Sequence, residues 1–353
     1  MKVLLLSRYT TFGASSRYRS YQYIPFLNEC GIKVTTAPLF DDQYLQQFYS
    51  GKGKSAFKIL NAYLKRIVYL FHAKKYDLLW IEKELFPWLP EWVESFMRYR
   101  KIRYVVDYDD AIFHNYDINN KAIVRATLGH KIDRVMKNAS VVIAGNQYLM
   151  DRAIAAGAKR VEYLPTVVDL DKYSSKSISN NELFVIGWIG SPSTTKYIRC
   201  VQEPLTKFCA DGLSKLVLVG AGKIDLPNIP VEIRSWSEAS EIQELLSFDV
   251  GIMPLFDSPW ERGKCGFKLI QYMGCGKPVI GCPVGVNQRI IRNGLNGFHA
   301  TTSEQWQAAL QRLRNDKHVR DKMGQEGRAV VEKEYCVQVT APRLAEILYS
   351  VVQ

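Results

Sequence analysis

The stretch FDVGIMPLFDSPWERGKCGFKLIQYMGCGKPVIG, residues 248–281, carries two short apolar runs separated by a polar loop and a segment of helical periodicity. It reads as a strand, a loop containing Glu261, a helix from about Lys264 to Met273, a glycine stop and a second strand. On that reading Lys264 and Lys268 share one face of the first helical turns, against the helix dipole, which favours an anion neutralised there. Gln271, three positions on, offers an amide to sugar or ribose hydroxyls.

Outward from this stretch the same alternation continues to both ends of the chain. KVLLLS, IKVTTAP, DLLWI, YVVDY, SVVIAG and VEYLP come before it, then LFVIGWIG, KLVLVGAG and VEIRSW, each separated from the next by a helix-length segment. Short β-branched runs alternating with helices predict parallel sheets covered by helices, an α/β fold. The stretch DLDKYSSKSISNNE, residues 169–182, is polar and aperiodic and is the linker candidate. Two Rossmann-like, doubly wound domains are therefore expected, 1–170 and 183–336, facing a central cleft. Ligands of such sheets lie beyond the carboxyl ends of the strands.

Composition bounds the functions open to such a chain. With 353 residues, 47% of them hydrophobic and 23% charged, it is too long for one ordinary core and too apolar for disorder. Its net charge of +12 calls for an anionic partner. Seven cysteines without a C-x-x-C pair fit reduced thiols rather than disulfides or zinc. The opening MKVLLLSRYTTFG is too short in apolar residues for a leader, and no run approaches a membrane span, so a cytoplasmic location is expected.

From Gly51 to Tyr76 there are seven basic residues and no acid, with Phe57, Leu60, Leu64, Ile67, Val68 and Phe71 at helical spacing. Two readings stay open: an apolar stripe packed on the sheet beneath solvated lysines, or residues 52–75 lying on an anionic membrane surface.

The loops after the strands hold the candidate chemistry. No G-x-G-x-x-G or Walker loop occurs, which argues against a nicotinamide enzyme or a P-loop ATPase. After the first strand, Gly13 allows a tight turn, and Arg17 and Arg19 at a helix start require a negative partner, either a ligand or nearby acids. DYDDAIFH places Asp107, Asp109, Asp110 and His114 at a strand end. Its D-x-D is compatible with a divalent metal, but capping or contact with sugar hydroxyls is the favoured reading, and no metal is expected. GSPSTTK presents Gly190, Ser191, Thr194, Thr195 and Lys196 at a helix start, a phosphate site by its free N–H groups, hydroxyls and ammonium. Trp236 follows a strand, either to stack on a base or to fill a gap.

Together these motifs resemble glycosyltransferase family 4, the retaining nucleotide-sugar-dependent enzymes of GT-B fold, over essentially the whole chain. GASSRYR, YDDA, AGNQYL and LPTVVD resemble a subset associated with bacterial surface polysaccharides. Aligning CGKPVIG puts Gln271 where the family's second glutamate holds the donor ribose and Gly263 where the first stands, with Glu261 two residues earlier as its substitute. Lys196 matches the lysine that binds the donor diphosphate; Ser191 stands in the place of the arginine that accompanies it, leaving Lys264 or Lys268 to supply the second charge. YVVDYDD puts Asp109 and Asp110 at the His-Asp of the first domain. The family's last helix crosses back onto the first domain, and residues 337–353 fit that pattern.

The resemblance implies transfer of a sugar from a nucleotide diphosphate to a saccharide acceptor, lipid-linked in this subset, without a cofactor. Asp109, Asp110, Lys196 and Lys264 are the catalytic candidates. Gly190, Ser191, Thr195, Trp236, Glu261, Lys268 and Gln271 are the donor-binding candidates, and Gly13, Arg17 and Arg19 line the first domain's side of the cleft. The alternatives are a non-catalytic nucleotide-sugar binding protein and an epimerase on the same scaffold. No nucleic-acid signature is present.

Overall fold

The computed structural model describes residues 1–49, 56–173 and 182–353. Lys52, Lys54 and most of the 169–182 linker lie outside them. The chain forms two compact units. One comprises Met1–Thr166, Gly263–Cys265 and Thr340–Gln353; the other comprises Val167–Arg262 and Gly266–Val339.

The first unit is a six-stranded sheet of β1 (Lys2–Leu6), β2 (Lys33–Thr36), β3 (Leu78–Glu82), β4 (Tyr104–Tyr108), β5 (Val141–Ala144) and β6 (Val161–Tyr163). Its order is β2-β1-β3-β4-β5-β6 and every pair is parallel. All residues of β3 and β4 are buried, which is why these strands read as continuous apolar runs rather than alternating ones. The order reverses between β1 and β3, so the loops after these two strands flank the switch point where such sheets take ligands.

The second unit repeats the plan with β7 (Phe184–Ile189), β8 (Ser214–Val219), β9 (Val231–Arg234), β10 (Val250–Met253), β11 (Val279–Gly281) and β12 (Gly297–His299). The order is β12-β11-β10-β7-β8-β9, again parallel, with its switch point between β7 and β10. The two α/β sheets are as the sequence alternation predicts. β12 escaped it because three residues, Gly-Phe-His, carry no β-branched run.

The terminal helix Val337–Val352 places most of its length against the first unit. The Tyr23 hydroxyl lies 3.0 Å from that of Thr340, and Arg103 donates to the carbonyls of Val351 and Val352 at 2.7 and 2.6 Å. A guanidinium on the last carbonyls satisfies acceptors that no further turn can reach and suits the negative end of the helix dipole.

The helix Ala56–Phe71 differs from its packed-stripe reading. Its buried residue is Arg66, whose guanidinium donates to the carbonyls of Ser7 at 2.6 Å and Ala37 at 3.0 Å. Phe57, Leu60, Leu64, Ile67, Val68 and Phe71 are exposed, Phe57 by 78% and Phe71 by 81%. The apolar stripe thus faces away from the sheet. No described helix is long and apolar enough to cross a membrane.

Candidate functional site

In the second unit the loops after β7 and β10 bring Lys196 and Glu261 together. Glu261, in the short helix Pro259–Arg262, is buried and accepts hydrogen bonds from Tyr197 Oη at 2.5 Å and from the Ser258 hydroxyl. Burial alone would raise its carboxyl; Ser258, Tyr197 and the field of Lys196 outweigh burial and hold it below the usual carboxylate range. Lys196 is exposed, with Nζ 5.0 Å from the centre of the Tyr197 ring. A buried ionised carboxylate thus lies in the field of an exposed ammonium beside the switch crevice.

The GSPSTTK loop starts a 3-10 helix, Pro192–Val201, rather than an α-helix. Ser191 N–H donates to Thr194 Oγ1 at 3.2 Å, and Thr195 Oγ1 donates to the Pro192 carbonyl at 2.6 Å, so two of the expected phosphate-binding hydroxyls close the turn instead. Ser191 Oγ lies 2.9 Å from Ser193 Oγ. Gly190 passes against Trp188: a Cβ there would fall 2.3 Å from the indole. Lys268 Nζ stands 5.3 Å from the centre of the same indole, so Gly190 and Lys268 meet across a buried tryptophan.

Lys264 is displaced from its predicted place. The helix runs Phe267–Gly274, with Gly266 in the left-handed region (φ 66°) as its N-cap, so Lys264 precedes the helix and does not share a face with Lys268. Gly263–Cys265 groups with the first unit, where Asn146 Nδ2 donates to the carbonyls of Gly263 at 2.8 Å and Lys264 at 3.1 Å. Asn146 Oδ1 meanwhile caps the helix Gln147–Ala155 by accepting from Leu149 N–H at 2.9 Å.

A Cβ on Gly263 would sit 2.3 Å from Ala111 Cβ and 2.9 Å from Ala111 N. The glutamate that the resemblance places at this position therefore has no room here. Installing it as Gly263→Glu is expected to lower stability by about 1–3 kcal/mol through overpacking, without raising turnover, which denaturation and activity assays would measure together.

Gln271 and Trp236 converge on a residue that the sequence reading passed over. Buried Glu241 accepts from Gln271 Nε2 at 3.0 Å, Tyr173 Oη at 3.0 Å and Trp236 Nε1 at 2.7 Å. Gln271 Nε2 also donates to Tyr173 Oη at 3.1 Å. The Gln271 amide N–H and the Trp236 indole N–H are thus held by protein acceptors. The Glu241 signal lay in the acidic run SEASE directly after Trp236, at a strand end.

In the first unit the arginines expected to bind an anion meet protein groups. Arg19, 1% exposed, forks onto Asp107 Oδ1 through Nε at 2.9 Å and Nη2 at 2.8 Å and reaches the Leu164 carbonyl at 2.7 Å. Burial nevertheless pushes the Asp107 carboxyl up to about 6, against the pull of Arg19. Arg17, also buried, donates to the Thr11 carbonyl at 3.0 Å and lies over the Tyr18 ring. Gly13 N-caps their helix, Ala14–Arg19, in a turn closed by its N–H to the Thr10 carbonyl at 3.1 Å.

Asp109 and Asp110 share a lysine that the sequence reading missed. Lys83 Nζ lies 2.8 Å from Asp109 Oδ1 and 3.5 Å from Asp110 Oδ2, and Ser15 Oγ donates to Asp109 Oδ2 at 2.6 Å. Burial opposes the Lys83 charge, but Asp109, Asp110 and Glu82 outweigh it and raise its pKa. Asp109 is held below the usual range, Lys83 and Arg19 overcoming burial. Lys83 keeps a left-handed backbone (φ 67°), a cost that persists only where the surroundings impose it. The signal is the charged run Glu82-Lys83-Glu84 directly after the apolar strand β3. His114 lies between Asp117 and Tyr148 at 2.8 Å each. No group of three or more His, Cys, Asp or Glu among the described residues is placed to hold a metal.

Residues 182–316 match the family model Glycosyl transferases group 1. No curated protein matches the chain by sequence. Solved structures share its fold along almost its full length. The sucrose-phosphate synthase tll1590 of Thermosynechococcus elongatus is 15% identical, with 99% of each chain covered and a TM-score of 0.76. Anabaena Alr3699/HepE in complex with UDP-glucose is 17% identical, with 99% of this chain and 100% of that one covered and a TM-score of 0.73. WaaG, a glycosyltransferase involved in lipopolysaccharide biosynthesis, is 12% identical, with 98% and 99% covered and a TM-score of 0.68. The fold is that of the GT-B glycosyltransferases. With a group 1 domain spanning the switch point, where Lys196 and Glu261 meet, the protein is a glycosyltransferase.

Proposed function

We propose that the protein is a retaining, family 4-type enzyme that transfers a sugar from a nucleoside diphosphate to a lipid-linked saccharide in surface-polysaccharide assembly, without a metal. The observation that carries this reading is the exposed Lys196 held beside buried, ionised Glu261 at the second unit's switch point. The donor diphosphate lies against Lys196, and Lys268 supplies the second charge in place of the arginine for which Ser191 stands. The first unit takes the acceptor, with Asp109 kept ionised by Lys83 and Asp110 beside the same ammonium. The acceptor hydroxyl forms a bond to the sugar's anomeric carbon as that carbon's bond to the diphosphate oxygen breaks. The electron pair leaves with the diphosphate, whose charge Lys196 meets, and the hydroxyl proton passes to a departing phosphate oxygen on the same face.

The exposed apolar stripe of Ala56–Phe71, with Lys58 and Lys65 on the same helix, supports contact with an anionic membrane surface where a lipid-linked acceptor lies.

A thermal-shift series with UDP, GDP, CMP, ADP and dTDP, with and without EDTA, tests the donor reading. UDP comes first because HepE is known in complex with UDP and with UDP-glucose. One diphosphate is expected to raise the melting temperature with or without EDTA. A shift abolished by EDTA would move diphosphate binding to a metal, and the absence of any shift would sink the donor site.

A further inference from the structure

A basic cavity opens at the amino-end edge of the first unit's sheet, opposite the strand ends that hold the candidate chemistry. It is an open depression of about 360 Å³, lined by Ala73, Lys74, Tyr76, Asp77 and Val352, together with the consecutive residues Arg100, Lys101, Ile102 and Arg103. Four cations face one carboxylate there, and that carboxylate, Asp77 Oδ2, already accepts the Lys2 N–H at 2.7 Å. Arg103 caps the terminal helix, which leaves Lys74, Arg100 and Lys101, all exposed, to define the charge of the opening.

Two apolar helix faces end at this cavity. The helix Ala56–Phe71 finishes with Phe71, three residues before Lys74, and the helix Trp92–Tyr99 finishes with Tyr99 beside Arg100. Trp92, Phe96 and Tyr99 recur at helical spacing and are exposed by 74%, 53% and 82%. Both helices belong to connections that cross the sheet in the same direction, β2 to β3 and β3 to β4, so right-handed crossovers put them on the same face. Exposed apolar area of this extent marks a surface that something covers. Aromatic residues grade here into lysine and arginine, the order in which a bilayer grades from acyl chain to anionic headgroup.

Lys101 adds a second observation. It follows the helix Trp92–Tyr99 with a left-handed backbone (φ 56°), a position that glycine fills without strain and that here carries a cation.

We propose that this cavity is a headgroup site for an anionic phospholipid, with the lipid phosphate between Lys74, Arg100 and Lys101 and its acyl chains along Phe71, Phe96 and Tyr99. The proposal rests on the membrane reading of the helix Ala56–Phe71 and adds a defined anchor to it.

Flotation of the full chain with phosphatidylcholine vesicles, with and without phosphatidylglycerol, tests it. The parent is expected to float with the anionic vesicles. The double variant Lys74→Gln/Lys101→Gly is expected to lose about fivefold in anionic-vesicle affinity for each charge removed. Its melting temperature should stay unchanged or rise, because glycine suits the left-handed position. A second variant, Phe71→Ser/Tyr99→Ser, is expected to weaken binding to either vesicle. If the double variant floats as the parent does, the headgroup site is overturned and the apolar-helix reading stands. If inorganic phosphate releases the parent from anionic vesicles, a soluble anion is the occupant and the proposal fails. A parent that floats with neither vesicle overturns both readings.

Discussion

Replacing Arg19 with methionine is expected to destabilise the protein by about 3–5 kcal/mol at neutral pH, because it leaves the buried Asp107 carboxylate without its cation. Both side chains are 2% exposed, so water cannot take over the two hydrogen bonds that Asp107 Oδ1 receives. The pH dependence separates this cause from lost packing. Asp107 titrates near 6 in the fold, above its ordinary value, so its contribution is fully present below about pH 4 and is lost as pH rises through 6. Removing Arg19 removes a charge that lowers this pKa, so the variant carboxyl takes up its proton at still higher pH. The deficit relative to the parent should shrink between pH 7.5 and 5.5 in chemical denaturation. Adding Asp107→Asn should recover much of it, since both partners of the buried pair are then neutral. A deficit that ignores pH and the second substitution would assign the loss to packing alone.

That ion pair also shows where sequence reading stops. The strands were legible because buried parallel strands are continuous apolar runs, as in LLWIE and YVVDY, and the loops after them follow from the fold. The partners of loop residues were not, because they come from distant parts of the chain. Arg19 meets Asp107 across 88 positions, and Gln271 meets Tyr173 across 98. Charge against the helix dipole called for a negative partner of Arg19 and favoured a bound ligand, whereas the partner in the fold is Asp107. Lys83 was legible in principle, as a lysine between two glutamates at a strand end, yet its weight comes from its contact with Asp109 and Asp110. On the helix Ala56–Phe71, periodicity located an apolar face and said nothing of which way it points. The sheet side is set by one residue, Arg66, reaching the carbonyls at the ends of β1 and β2.

Replacing Lys196 with alanine is expected to lower turnover about 100-fold while leaving the melting temperature within a degree or so of the parent's, since removing one fixed charge from a developing anion typically has this size and surface truncations rarely affect folding. The structure gives the second half of this expectation directly: Lys196 is exposed, and the buried Glu261 behind it keeps its hydrogen bonds from Tyr197 and Ser258. The first half follows from the charge that a departing diphosphate develops, which an ammonium meets more strongly in the transition state than in the bound donor. The loss should therefore appear mainly in kcat rather than in KM. Lys196→Arg should recover only part of it, because a planar guanidinium does not reproduce a compact point charge over the Tyr197 ring. Glu261→Gln should give a smaller fall of the same kind, since it removes the carboxylate and leaves the cation. Turnover near the parent's in Lys196→Ala would mean that another group, with Lys268 the first to test, meets the diphosphate charge, and the assignment of Lys196 would fall.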